Sequence, residues 1–393
     1  LIGQRRFELS QRFVHETFAR LIDVVPEAPM QSKPKILFAF TFFEQNSEIN
    51  RDLDFAPAVQ AILPSWQLSA QAGSTWLRLN AVVSQESNVR EFAEKIWLMR
   101  EKLSNFLCSD VSFSEKSSLS IKSSQDWESK YRLSLAQGID LVNSGQLEKL
   151  VLAVRQSIVL NKPLNPLAIL ASLRNHQKYS CRFLWQRSKE ESFFGASPER
   201  LLSLRQNNMI TDALAGTTIS GPQDSALLSS EKNLREHKVV ISSIYDQLSG
   251  LGLSAQSSLQ PLLARHGKLV HLHTPISSHL SSQSPLQILN ALHPTPAVAG
   301  LPRENALKWL RTIEQFDRGL YASPIGWMDT MDNAEFRVGI RCGYARSRNL
   351  DLIAGAGIVK GSTVDDELQE VRLKFAVLKD QIFSDSKFSG QTF

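Results

Sequence analysis

Leu352-Ile-Ala-Gly-Ala-Gly-Ile-Val-Lys-Gly-Ser-Thr-Val-Asp-Asp-Glu-Leu-Gln-Glu370 is an apolar run that passes through glycines into an acidic segment. The run predicts a buried strand, and the acidic segment predicts a helix start. Gly355 and Gly357 are expected to form a glycine-rich turn whose backbone amides can approach a carboxylate or phosphate. Glu367 and Glu370, three residues apart, would share one helix face. Carboxylates so placed suit Mg²⁺, a hard cation that prefers oxygen. The same letters also read as a plain helix start, because Asp365, Asp366 and Glu367 complement the helix dipole. Nucleotide motifs do not fit. Lys360 precedes Gly361, where a Walker loop needs Gly before Lys, and Lys360 stands where a dinucleotide fingerprint needs its third Gly.

The rest of the chain narrows the class. Its 393 residues are enough for a large core and for two or three domains. No apolar run approaches the roughly 18 residues of a membrane span, so no membrane association is expected. Cys108, Cys181 and Cys342 are scattered, with neither disulfide-framework nor zinc spacing, which fits a reducing compartment. The expected location is cytoplasmic, with a plastid the alternative if a transit peptide was removed. Basic and acidic residues are interspersed, with no Lys/Arg block, so nucleic acid is not an expected partner.

An α+β architecture with large antiparallel sheets is expected, because strand groups alternate with single helices and no βα period repeats. Runs at 36–43 and 75–80 read as strands in a β-rich N-terminal scaffold, residues 1–118, and the polar stretch 109–124 reads as a linker. A catalytic region, 119–385, follows. There a helix should run from Trp127 to near Gly145, with Leu135, Ile139 and Val142 on one face; a strand should cover 151–159; strands at 182–185 and 191–194 should pair and lead into a turn at 195–199; and a long helix should cover 229–248.

Several further motifs accompany the glycine segment: Lys149-Leu-Val-Leu-Ala153, Ser197-Pro-Glu199, Ala213-Leu-Ala-Gly-Thr217, Glu236-His237 with His271-Leu-His-Thr274, Leu292-His-Pro-Thr-Pro-Ala-Val-Ala-Gly-Leu-Pro302, Arg318-Gly-Leu-Tyr321 and Phe336-Arg-Val-Gly-Ile-Arg-Cys342. Each alone has a bland reading. Lys149 is an ordinary surface charge, Ser197-Pro-Glu199 a helix start, and His271 a hydrogen-bonded core residue. Arg341 is harder to dismiss, since an arginine in an apolar strand needs an anion. In this order, over about residues 125–385, the motifs resemble the chorismate-utilising enzymes, the family of isochorismate, salicylate, anthranilate and aminodeoxychorismate synthases.

The resemblance implies a dicarboxylate substrate, chorismate, and Mg²⁺. Tyr321, Arg341 and the backbone at Gly357 would hold one carboxylate, with Ala215, Gly216, Thr217 and Lys360 in the same substrate-binding set. Glu236 and Glu370 match direct metal ligands and Glu367 an outer one; Asn233 stands where the family often has another acid. These carboxylates are expected to lack compensating charge when no metal is bound. Lys149 would activate water for attack at C2, Glu199 would protonate the hydroxyl leaving C4, and His271 would orient that hydroxyl. His237 receives no role. Ammonia-using relatives carry Gln at the position of Lys149 or a lysine at that of Ala215, so water is the expected nucleophile and no glutamine amidotransferase subunit is expected. The implied activity is an isomerase of the isochorismate synthase type, supplying menaquinone, phylloquinone, siderophore or salicylate pathways. The alternatives are a salicylate synthase and a catalytically silent chorismate-binding homologue.

Overall fold

Two antiparallel sheets, of nine and seven strands, organise the structure, a computed structural model that describes residues 3, 5–44, 57–71, 73–107, 119–222 and 224–383. In the larger sheet Leu269–His279 pairs with Asn208–Ile219, and the order continues through Arg200–Arg205, Ala334–Val338, Pro324–Asp329, Lys35–Phe40 and Val59–Ile62. The smaller sheet is built on Lys149–Leu160 and Asn349–Val359, paired from Lys149 opposite Val359 to Val159 opposite Asn349. The α+β class with large antiparallel sheets is therefore observed.

That long pairing corrects the expected glycine turn. Gly355 and Gly357 lie inside the strand, opposite Ala153 and Val151, because the ladder with Lys149–Leu160 holds them extended. The chain turns at Lys360 and Gly361, where Gly361 takes φ +92°. Thr363 then caps the helix Val364–Ile382 by accepting from the Asp366 amide.

Helices cover the sheets by their apolar faces. Tyr131, Leu135, Gly138, Leu141 and Val142 form the buried stripe of Glu128–Asn143, which lies with Val364–Ile382 on the smaller sheet. Contact there is close, since a Cβ on Gly138 would sit 2.6 Å from Ile358 Cδ1. Glu231–Gly250 starts at its cap Ser230 and packs on Asn208–Ile219.

The N-terminal region is less uniformly β than expected. Arg6–Ala19 and Val89–Leu107 are helices. The first buries Phe7, Ser10 and Val14, a helical spacing overlooked beside the stronger strand signals. Its buried Arg6 donates to the carbonyls of Thr41 at 2.6 Å and Phe43 at 3.0 Å, fastening the helix to the end of Lys35–Phe40. Of the expected linker, 109–118 lies outside the described residues, and Ile121–Ser124 is a strand paired with Lys149–Leu160. No helix among the described residues is long and apolar enough to cross a membrane.

Two segments pass from one sheet to the other. Glu191–Ser197 of the smaller sheet runs through Pro198 and Glu199 into Arg200–Arg205 of the larger, so the turn expected at 195–199 is a strand as far as Ser197. Ala334–Val338 of the larger sheet returns through Gly339, Ile340 and Arg341 into Cys342–Arg346 of the smaller. The Ala196 amide donates to the Arg341 carbonyl at 3.1 Å and the Val338 amide to the Glu199 carbonyl at 3.2 Å, so the crossings are stitched side by side.

Candidate active site

The stitched crossings bring Glu199 and Arg341 to one seam. Arg341 adopts φ +52°, and Gly195 makes room for it, since a Cβ there would lie 2.6 Å from the Arg341 carbonyl. Arg341 Nη2 lies 3.3 Å from His271 Nε2, and His271 Nδ1 lies 3.0 Å from Thr217 Oγ1. Burial, then Arg341, holds His271 well below the usual imidazole range. The ring is neutral, so Nε2 accepts from Arg341 and Nδ1–H donates to Thr217. Thr217 follows a bulge at Gly216, whose φ is +71°.

Lys149 opens the strand Lys149–Leu160, and at 1% exposed it is not the solvated charge of the bland reading. Its Nζ lies 2.8 Å from Glu236 Oε1. Gly357 borders this pair: a Cβ there would meet Glu236 Oε1 at 2.8 Å and Lys149 Cε at 3.2 Å. The strand is clamped from behind by the fully buried Arg318, which donates to the carbonyls of Val151 and Val298 at 2.7 Å each and pairs with Glu314. Glu314 Oε1 in turn accepts from the Ala153 amide at 2.7 Å. Gly357→Ala is expected to push the Glu236 carboxylate off Lys149, lowering activity at least about tenfold and, as the buried lysine loses its countercharge, lowering the melting temperature too. Wild-type kinetics in that variant would show that the Lys149–Glu236 contact is dispensable.

The expected uncompensated acid cluster is not what the chain forms. Each of the three glutamates closes on a lysine: Glu236 on Lys149, Glu367 on Lys232 at 3.0 Å, and Glu370 on Lys374 at 2.5 Å. Lys374 also donates to the Gly355 carbonyl at 2.6 Å. Burial works to lower Lys232, but Glu367, with Glu236 and Glu370 beyond it, raises it overall, so the three acids share one neighbourhood. Burial, then Glu370, raises the carboxyl of Glu367, which is 2% exposed. Among the described residues no three His, Cys, Asp or Glu side chains converge closely enough to hold a metal ion. The donors themselves, all hard carboxylate oxygens, fit a cation such as Mg²⁺, which would compete with the lysine ammonium groups for them.

Glu199 is 3% exposed, and burial, then Asp212, raises its carboxyl to about 8 against the pull of Lys149, Arg341 and Lys374. Tyr321 is buried beside Arg318 and Arg341, its hydroxyl pushed upward by burial. Ala215 is buried within Asn208–Ile219, one residue before the bulge. Lys360 stands apart, exposed in the turn before Val364–Ile382. His237, left without a role, is buried, and its Nε2 lies 2.8 Å from Thr274 Oγ1. Burial, then Lys149, lowers its imidazole to about 4. Sequence reading missed Lys232 and Lys374. Lys374 and Lys232 both stand at i,i+4 spacing to a ligand glutamate, Glu370 and Glu236, but nothing in the sequence pairs Lys232 with Glu367.

The chain is 29% identical over 350 residues to the isochorismate synthase MenF of Bacillus subtilis, covering 86% of this chain and 73% of that one. It is 34% identical over 263 residues to the isochorismate synthase DhbC of the same organism, covering 63% of this chain and 66% of that one. The solved structure of MenF, the menaquinone-specific isochorismate synthase from Escherichia coli, superposes with a TM-score of 0.75 at 27% identity, covering 95% of this chain and 82% of that one. The family described as chorismate binding enzyme matches residues 2–383, and the chain belongs to it.

Proposed function

We infer that this chain is an isochorismate synthase, interconverting chorismate and isochorismate by adding water at C2 and releasing the C4 hydroxyl. The observation that carries the reading is a lysine 1% exposed and a carboxyl 3% exposed, near enough for the lysine's charge to pull on the carboxyl, which burial still raises to about 8, in a family whose relatives described above are isochorismate synthases. Glu199 is protonated at neutral pH, and a poor leaving group such as an allylic hydroxyl departs when it receives that proton. To act as base, Lys149 must first shed to solvent the proton with which it pairs to Glu236, and the neutral amine then accepts the proton that the attacking water gives up. One proton leaves Glu199 and one arrives at Lys149 per forward turnover, and the reverse reaction runs the exchange backwards.

Arg341 offers a planar donor fork to one substrate carboxylate, aided by Tyr321 and by the backbone at Gly357. His271 keeps Arg341 aimed through its neutral ring. Ala215, Gly216 and Thr217 border the ring of the substrate, and the absence of a lysine at Ala215 favours water over an amine. Glu236 and Glu370 would hold Mg²⁺, with Glu367 acting through water, and the ion when bound supplies charge that neutralises the second carboxylate.

Purified protein incubated with chorismate and Mg²⁺ is expected to give isochorismate as the main product, resolved by chromatography. Salicylate and pyruvate as dominant products would make it a salicylate synthase, anthranilate formed with ammonium would defeat the water mechanism, and no conversion would make it a silent homologue.

A pH dependence follows from Glu199. Its carboxyl loses its proton as pH rises through about 8, so the forward rate should decline on that limb. Stability has the same sign. The folded value lies above the ordinary carboxyl value of 4.5, so the contribution is complete below about 4.5 and lost as pH rises through about 8. Chemical denaturation across that window should show stability falling with pH, and Glu199→Gln should flatten the fall. An unchanged slope in the variant would mean that Glu199 titrates as an ordinary carboxylate.

A further inference from the structure

A cavity of about 610 Å³ opens beside Glu199 on the larger sheet. Pro198 and Arg200, the neighbours of Glu199 in the chain, line it, together with Asp212, His273 and Arg337. Leu214, Leu262 and Leu263 supply an apolar wall. Leu214 belongs to the same strand as Ala215–Thr217, so this cavity and the seam lie against neighbouring stretches of one strand.

Its polar lining is only partly satisfied. Arg200 Nε, Arg337 Nε, Asp212 Oδ1 and His273 Nε2 are all buried without a hydrogen-bond partner. Asp212 is 6% exposed; His273 Nε2 lies 3.0 Å from its Oδ1 but out of hydrogen-bonding alignment, and Arg200 Nε stands 3.9 Å from its Oδ2. Buried polar atoms are almost always paired, and two arginine Nε atoms beside a misaligned Asp212–His273 pair call for an occupant. Arg337 spends Nη2 on Glu335 at 2.6 Å, which leaves its other nitrogens and the guanidinium of Arg200 as donors for an anion, while the misaligned oxygen of Asp212 asks for a donor. Apolar walls ask for a compact carbon body between them.

We propose that this cavity binds a small hydroxylated or aminated ring carboxylate, its carboxylate on Arg200 and Arg337 and its hydroxyl or amine on Asp212 and His273. Nothing in the proposal depends on the reaction assigned above. The site is read by binding alone, so its failure leaves the activity untouched.

The test titrates 4-hydroxybenzoate calorimetrically into metal-free protein, with benzoate and phenol as partial probes. Saturable binding is expected, with each partial probe at least about tenfold weaker, the usual consequence of leaving a charged or buried polar partner unmet. Arg200→Met and Arg337→Met should each weaken 4-hydroxybenzoate about tenfold. Leu262→Trp, made at a position 57% exposed on the cavity wall, should block binding even if an arginine variant fails to fold. Arg341→Met, in the other site, should leave it unchanged. Absence of saturable binding to the wild type would mean that water alone satisfies these atoms. Binding that disappears in Arg341→Met but survives Leu262→Trp would place the ligand at the seam and overturn the proposal.

Discussion

Glu236→Gln and Glu370→Gln are each expected to lower Mg²⁺-dependent turnover of chorismate by at least about 100-fold, the upper end of what losing even an outer partner of a metal costs. Their effects on stability should differ. In Glu236→Gln the buried ammonium of Lys149, 1% exposed, loses its countercharge, and breaking a buried pair costs about 3 kcal/mol. In Glu370→Gln, Lys374 is less deeply buried, at 14% exposed, and keeps its bond to the Gly355 carbonyl, so the melting temperature should fall less. Calorimetric titration with Mg²⁺ reads the loss of binding directly, apart from activity. Near-normal turnover in both variants, or full wild-type turnover in excess chelator, would remove the metal assignment.

Lys149→Ala and Glu199→Gln should each lower kcat/KM by about 10²- to 10⁴-fold, the usual contribution of a general acid or base. Both should damage kcat far more than substrate binding, because neither residue is assigned a substrate carboxylate. Reversibility sharpens the expectation. A catalyst cannot move the overall equilibrium, so each variant must lose the same factor in kcat/KM from chorismate and from isochorismate. Lys149→Ala carries an added check: it leaves Glu236, 13% exposed, without its lysine, so Mg²⁺ should bind at least as tightly as in the wild type while turnover collapses. A folded Lys149→Ala protein that keeps half of wild-type kcat/KM would reduce Lys149 to a structural partner of Glu236.

The sequence made the fold legible where apolar period and punctuation agreed. The stripe of Leu135, Ile139 and Val142 produced the expected helix, although Ile139 is only half-buried, and the run before Lys360 produced the expected strand. Gly355 and Gly357 misled because glycine permits a turn without requiring one, and a partner strand 200 residues away in sequence decided the matter. Arg6–Ala19 was missed for a related reason: its stripe is short and broken by charge, and the partners that bury Arg6 are carbonyls 35 to 37 residues on. The proximity of Lys149 to Glu236 and of Arg341 to His271 depends on two sheet crossings and could enter a sequence reading only through resemblance. What no motif carried was compensation. Lys232 and Lys374 neutralise the acids, and only the folded chain brings Lys232 to Glu367.

Turnover of chorismate in water enriched in heavy oxygen tests the central claim most directly, by locating the oxygen at C2 of the product by mass spectrometry. If Lys149 activates water while Glu199 expels the C4 hydroxyl, isochorismate formed in a single forward pass carries the solvent oxygen at C2. Unlabelled isochorismate would mean that the substrate's own hydroxyl migrates across the ring, and the water-addition account would be contradicted.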